Sequence, residues 1–176
     1  MKKELLSILK TAVHWGRFKL ASGRESDLYI DARQVSLYSR GAYLVGSLIW
    51  EMISPWNIKA VGGLTMGADP IVSAVITVAG QRGMDLKGLL IRKQVKEHGR
   101  GRLIEGPDLE KGERVVVLDD VATSGSSILK SVKVLRDEGF VVDKAVVIVD
   151  REEGAREALS EIGVELFSLF CRSDLL

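Results

Sequence analysis

Apolar positions along this chain change period several times, and each change marks an element. Residues 2–14 carry Leu5, Leu6, Ile8, Leu9 and Val13 at helical spacing, with Gly16 as the stop signal. Two short extended segments follow, 17–21 and 28–32, joined by Ser22-Gly-Arg-Glu-Ser. That is hairpin chemistry. Residues 39–53 form an amphipathic helix that must end before Pro55. Beyond it the pattern alternates between strand and helix. Strands are predicted at 58–61, 86–91, 115–118, 144–149 and 164–170, and helices at 71–81, from about 128, and at 152–162 with Gly163 as cap. The alternation predicts one α/β domain with a mostly parallel central sheet flanked by helices. The hairpin stands outside the alternation, so it reads as a flap on the sheet.

The segment 114–128 reads Arg-Val-Val-Val-Leu-Asp-Asp-Val-Ala-Thr-Ser-Gly-Ser-Ser-Ile. Val115 to Leu118 make an unbroken apolar run, as in a strand buried on both faces. Asp119 and Asp120 follow, where open α/β sheets bind ligands. Thr123-Ser124-Gly125-Ser126-Ser127 then opens a helix whose apolar positions are Ile128, Val132 and Leu135. Small residues at a helix N-terminus let backbone N–H groups crowd around an anion. Hydroxyls of Thr123, Ser126 and Ser127 add donors. Paired carboxylates repel unless sugar hydroxyls, a base or a metal satisfy them. Acids followed by an anion cradle describe a site for a ribose 5-phosphate. No Gly-x-x-x-x-Gly-Lys-Ser/Thr loop occurs, and no Gly-x-Gly-x-x-Gly follows a strand.

Two other segments carry candidate chemistry. Gly62-Gly-Leu-Thr-Met-Gly-Ala-Asp-Pro70 is a second glycine loop between strand and helix, open to a second anion. Residues 92–102 hold five Lys and Arg residues, one His and one Glu, with two Gly and no apolar period. This reads as a solvated surface loop or as a cationic clamp that closes over phosphates.

The 176 residues suit one domain with a sizeable core, and the net charge of +1 leaves no strong field for nucleic acid or membrane. Any basic site is therefore local. One cysteine, Cys171, rules out an internal disulfide and a cysteine-based zinc cluster, and reads as a small buried apolar residue. The N-terminus lacks signal-peptide character, and no apolar run reaches spanning length. A cytoplasmic protein is the expectation.

With these residues in view, the chain resembles the orotate phosphoribosyltransferases, members of the type I phosphoribosyltransferase fold. The likeness spans nearly the full length. It rests on segment 114–128 and on Arg-Lys-x-x-Lys-x-His-Gly, here Arg92, Lys93, Lys96 and His98. The resemblance implies transfer of phosphoribosyl from phosphoribosyl pyrophosphate to orotate, with Mg²⁺ arriving on the substrate and no direct protein ligand to the metal. Arg92, Lys93 and Lys96 would contact diphosphate, and Lys96 and His98 would complete the closed site of a partner subunit in a homodimer. Asp119 and Asp120 would take the ribose hydroxyls. Val121, Ala122, Thr123, Ser124, Gly125, Ser126 and Ser127 would hold the 5-phosphate, and Thr65 and Gly67 the diphosphate. Tyr29 and Ile30 would meet orotate through their backbone, and Arg151 its carboxylate. The division implied is a hood of about 1–35 plus C-terminal segments and a core of about 38–150. The chain departs from some members in having Ala21 for a hood lysine, with Lys19 two residues away, and Met66 near the position of a diphosphate lysine. Two other readings stay open: a regulator of the same fold that binds the sugar phosphate or nucleotides, and a transferase for another base.

Overall fold

The computed structural model describes residues 1–19, 25–94 and 103–176, with only the backbone of Lys19. Helix α1 (Lys2–Thr11) ends sooner than the sequence suggests. Strand β1 (Val13–Lys19) begins at once and pairs antiparallel with β2 (Glu25–Ile30), Val13 facing Ile30. Gly16 thus lies inside a strand, at a register shift between Trp15 and Phe18, and not at a helix end. Pairing with β2 wins over a further helical turn because Val13 and Trp15 are β-branched and aromatic.

After α2 (Arg33–Ser36) and α3 (Ser39–Ile53) the main sheet begins. Its strands are β3 (Ala60–Leu64), β4 (Lys87–Ile91), β5 (Ile104–Glu105), β6 (Val115–Ala122), β7 (Lys144–Asp150) and β8 (Glu165–Cys171). Helix α4 (Asp69–Gln81) links β3 to β4, α5 (Ser126–Asp137) follows β6, and α6 (Ala155–Ser160) follows β7. The spatial order is β5-β4-β3-β6-β7-β8. All neighbours are parallel except β5, a two-residue antiparallel edge that the sequence pattern does not announce.

The run Val115–Leu118 shows why the sheet strands read as continuous apolar stretches. Val116 and Leu118 join one core with Leu44, Ile49, Ile71 and Val75 of α3 and α4. Val115 and Val117 join the opposite core with Ile128, Val132 and Leu135 of α5. Alternate side chains point to opposite faces, and both faces are covered.

Two further boundaries move. Strand β3 runs through Gly62 and Gly63, so the loop before α4 is only 65–68. A Cβ on Gly63 would lie 2.1 Å from the Leu118 carbonyl oxygen and 2.5 Å from the Ala68 Cβ. Glycine is required there by the close approach of β6 and of the loop. Helix α6 is shorter than 152–162, because the buried Asp150 carboxylate accepts from the Glu152 N–H (2.9 Å) and from Arg156 Nε (2.7 Å), which folds residues 151–154 into a turn.

Candidate active site

Strands β3 and β6 are neighbours, but the chain leaves them in opposite directions across the sheet. Such a reversal opens a crevice at the carboxyl ends of the strands. A cavity of about 320 Å³ lies there. Leu64, Thr65, Met66 and Gly67 wall it from β3 and its loop. Asp119, Asp120, Val121 and Ser127 wall it from β6 and α5, Tyr29, Ile30, Asp31 and Arg33 from the hairpin side, and Lys93 from the end of β4.

The acid pair sits inside the last turns of β6 rather than beyond it. Asp119 is 5% exposed. Its Oδ1 accepts from the Asp120 N–H at 3.0 Å, and the Ser127 hydroxyl donates to its Oδ2. Asp120 Oδ1 accepts from the Val121 N–H at 2.7 Å. Burial and the neighbouring Asp120 charge push the Asp119 carboxyl up to about 7, against the pull of the Ser127 hydroxyl. Burial raises Asp120 too, opposed by the Val121 N–H and by the positive charge of Arg33. Burial thus disfavours the ionised pair, a state that sugar hydroxyls donating to it would relieve.

Helix α5 is preceded by Gly125 as its N-cap, left-handed at φ 78°, with no side-chain cap. Its first N–H groups therefore remain open to an anion. Ser127 differs from expectation in one respect: its hydroxyl serves Asp119, which leaves Thr123 and Ser126 as the hydroxyls available to a phosphate. Opposite, Thr65–Met66 is a cis peptide. A Cβ on Gly67 would stand 2.9 Å from Asp119 Oδ1 and 3.2 Å from Asp120 Oδ1. Glycine is favoured there because the loop backbone comes so close to the two carboxylates.

The cationic residues divide. Lys93 lines the cavity, and its carbonyl accepts from Lys130 Nζ at 2.9 Å, which ties the start of the basic segment to α5. Arg92 is paired with Glu105 of β5, Nη2 to Oε1 2.6 Å, and does not line the cavity. Lys96 and His98 lie outside the described residues, as does Ala21. Arg151 is 3% exposed and also stands outside the lining. Its Nη2 donates to Glu153 Oε1 (2.7 Å) and to Ser26 Oγ (2.6 Å), joining β7 to the hairpin. Ala122 is buried beneath the loop, and Ser124 and Ser126 are exposed at its rim. Asp31 and Arg33 are lining residues that the sequence reading missed. Their only signal was a pair of opposite charges at the end of the second extended segment and just beyond it.

Fold and crevice together define a phosphoribosyl transferase domain: the model of that family matches residues 37–164. An orotate phosphoribosyltransferase from Thermosynechococcus vestitus is 46% identical, over 99% of this chain and 93% of its own length. One from Aquifex aeolicus is 44% identical, over 100% and 93%. The orotate phosphoribosyltransferase of Mycobacterium tuberculosis, crystallised with 5-phospho-α-D-ribosyl 1-diphosphate, superposes with a TM-score of 0.83 at 34% identity, covering 99% of this chain and 98% of that one. The chain belongs to the orotate phosphoribosyltransferase family.

Proposed function

We propose a division of labour for the transfer of phosphoribosyl from phosphoribosyl pyrophosphate to orotate, the pentosyl transfer of this family in pyrimidine biosynthesis. The observation that carries it is one crevice holding three things: an acid pair on β6, an uncapped helix N-terminus beside it, and the 65–68 loop facing both. Asp119 and Asp120 accept from the ribose hydroxyls. Backbone N–H groups of 123–127 hold the 5-phosphate, helped by Thr123 and Ser126. Thr65 and Gly67 give the diphosphate its backbone cradle. The Tyr29–Ile30 backbone meets orotate, and Arg151 exchanges the Glu153 carboxylate for that of orotate, a bidentate match for a guanidinium.

As the bond from C1′ to the diphosphate oxygen breaks, positive charge develops on the sugar and negative charge on the leaving group. Lys93, Lys96 and Arg92 stabilise that negative charge once water is excluded, with Arg92 released from Glu105. His98 serves as proton donor or as phosphate ligand. Among the described residues no group of three or more His, Cys, Asp and Glu gathers to hold an ion. A pair of acids that serves sugar hydroxyls fits Mg²⁺ brought in by the substrate. When bound, it neutralises diphosphate charge through oxygen ligands. The acting unit in this reading is a homodimer in which the basic segment serves the neighbouring site. Among the described residues no helix is long and apolar enough to cross a membrane, and the proposed setting is the cytoplasm, where a lone thiol such as Cys171 stays reduced.

The direct test mixes protein, Mg²⁺, orotate and phosphoribosyl pyrophosphate and follows the orotate absorbance. A fall that depends on both substrates is expected. An unchanged spectrum with tight sugar-phosphate binding would favour the regulatory reading, and turnover with a purine in place of orotate would favour another base.

Sugar binding should also release a proton. Near pH 6.5 the Asp119 carboxyl, raised to about 7, is mostly protonated, whereas ribose hydroxyls favour its ionised form. Binding at that pH should expel up to about one proton, and none near pH 9 where the group is already ionised. Calorimetry in buffers of different ionisation enthalpy reads this out. Asp119→Asn corrects for titration of the ligand's own phosphates, and an identical release in that variant would sink the assignment.

A further inference from the structure

The cradle that faces the acid pair contains no charge. Leu64, Thr65, Met66, Gly67 and Ala68 supply backbone groups, one hydroxyl and apolar atoms. The cavity wall carries three carboxylates, Asp31, Asp119 and Asp120, against two cations among the described residues, Lys93 and Arg33. A pyrophosphorylated sugar would bring several more negative charges into this space. Lys93 begins the basic segment. Arg33 is different, because it opens helix α2, which packs against α4, and it lines the cavity together with the uncharged loop.

The arginine is held only loosely by the protein itself. Its Nε stands 3.5 Å from Asp31 Oδ1, an ion pair too long for a hydrogen bond of full strength. Asp31 Oδ1 is buried and has no hydrogen-bond partner among the described residues, while Asp31 Oδ2 accepts from Gln34 Nε2 at 3.2 Å. The terminal amino groups of Arg33 make no hydrogen bond among the described residues, and its side chain is 45% exposed. Its charge nonetheless reaches the acid pair, where it draws the Asp120 carboxyl down against burial. A guanidinium with one long ion pair, in the wall of the same cavity as a 65–68 loop that carries no charged side chain, is placed to take phosphate oxygens with its fork.

We propose that Arg33 is a substrate-contacting residue, which binds the diphosphate of phosphoribosyl pyrophosphate from α2 while Asp31 steadies its Nε end. It gives the cradle a fixed positive charge before the basic segment contributes. The inference rests on the reading of this crevice as the sugar-diphosphate site.

The test measures affinities of Arg33→Gln and Arg33→Lys for phosphoribosyl pyrophosphate, inorganic diphosphate and ribose 5-phosphate, with Mg²⁺, by calorimetry. Arg33→Gln should weaken both diphosphate-bearing ligands about 10- to 100-fold, the loss of one charge-assisted contact. Ribose 5-phosphate should bind as in the wild type. Arg33→Lys should fall between, since an ammonium keeps the charge and loses the fork. Unchanged diphosphate affinity in Arg33→Gln would overturn the assignment. So would an equal loss for ribose 5-phosphate, which would mean that Arg33 acts only through Asp120. Failure of the wild type to bind phosphoribosyl pyrophosphate would instead bring down the reading of the crevice itself, and Arg33's role with it. Thermal unfolding separates these outcomes from misfolding, and a half-exposed side chain with one long ion pair should leave the melting temperature nearly unchanged.

Discussion

Asp119→Asn should lose activity and gain stability. The carboxylate is buried, stands beside a second one, and is raised to about 7 from an ordinary value of 3.8 by burial first and the Asp120 charge second. For an acid whose folded pKa is raised, stability is greatest below the unfolded value, falls as pH rises between the two, and is flat above the folded one. The asparagine removes that cost and keeps an oxygen for the Asp120 N–H. The variant should therefore melt above the wild type at pH 8, and the difference should shrink as pH falls from about 7 towards about 4. Turnover should move the other way. An amide cannot accept from two ribose hydroxyls as a carboxylate does, and kcat/KM should drop by about 10²–10³-fold, the usual scale for a group that stabilises developing charge. Scanning calorimetry across pH and steady-state kinetics check both. A variant that is less stable than the wild type at pH 8 would show that the ionised pair is already compensated. One with undiminished kcat/KM would remove Asp119 from the site.

Lys96→Ala should lower kcat by about 10²–10³-fold with little change in melting temperature, if the basic segment clamps the leaving diphosphate. Because that segment is proposed to serve the neighbouring subunit, mixing two crippled variants gives a sharper result. Subunits carrying Lys96→Ala and subunits carrying Asp119→Asn should exchange into mixed dimers. In each mixed dimer one site bears both lesions and the other bears neither. A mixture should thus recover activity well above the sum of its parts, up to about a quarter of the wild-type rate if exchange is random. No recovery, with subunit exchange verified by mass spectrometry, would place the lysine in its own subunit's site.

Much of this was legible in the chain. The run Val115–Leu118, the acid pair and the small-residue loop are contiguous, and each follows from a local rule: apolar alternation to two covered faces, carboxylates at the end of a strand, open N–H groups at a helix start. Local signals failed where a distant partner outweighed them. Gly16 looked like a helix stop but sits in a strand, because β2 captures the chain from Val13 onward. Gly62 and Gly63 looked like loop and proved to be strand, since Gly63 is demanded by a carbonyl 55 positions further on, at Leu118. For Arg92 and Arg151, which the resemblance assigns to ligands, the fold adds what no local pattern shows, a carboxylate beside each guanidinium, Glu105 and Glu153.

The sequence by itself determined the α/β class and the main alternation of strand and helix, and offered the acid pair and small-residue loop as candidate chemistry, because those depend on period and on contiguous residue types. Only the tertiary structure decided which of the charged groups face one another. It placed β3 beside β6, so that Gly67 comes close against Asp119 and Asp120. It gave the Ser127 hydroxyl to Asp119, and brought Arg33 into the wall of the same cavity. Strand order and helix packing join residues nearly a hundred positions apart, and no local pattern records that distance.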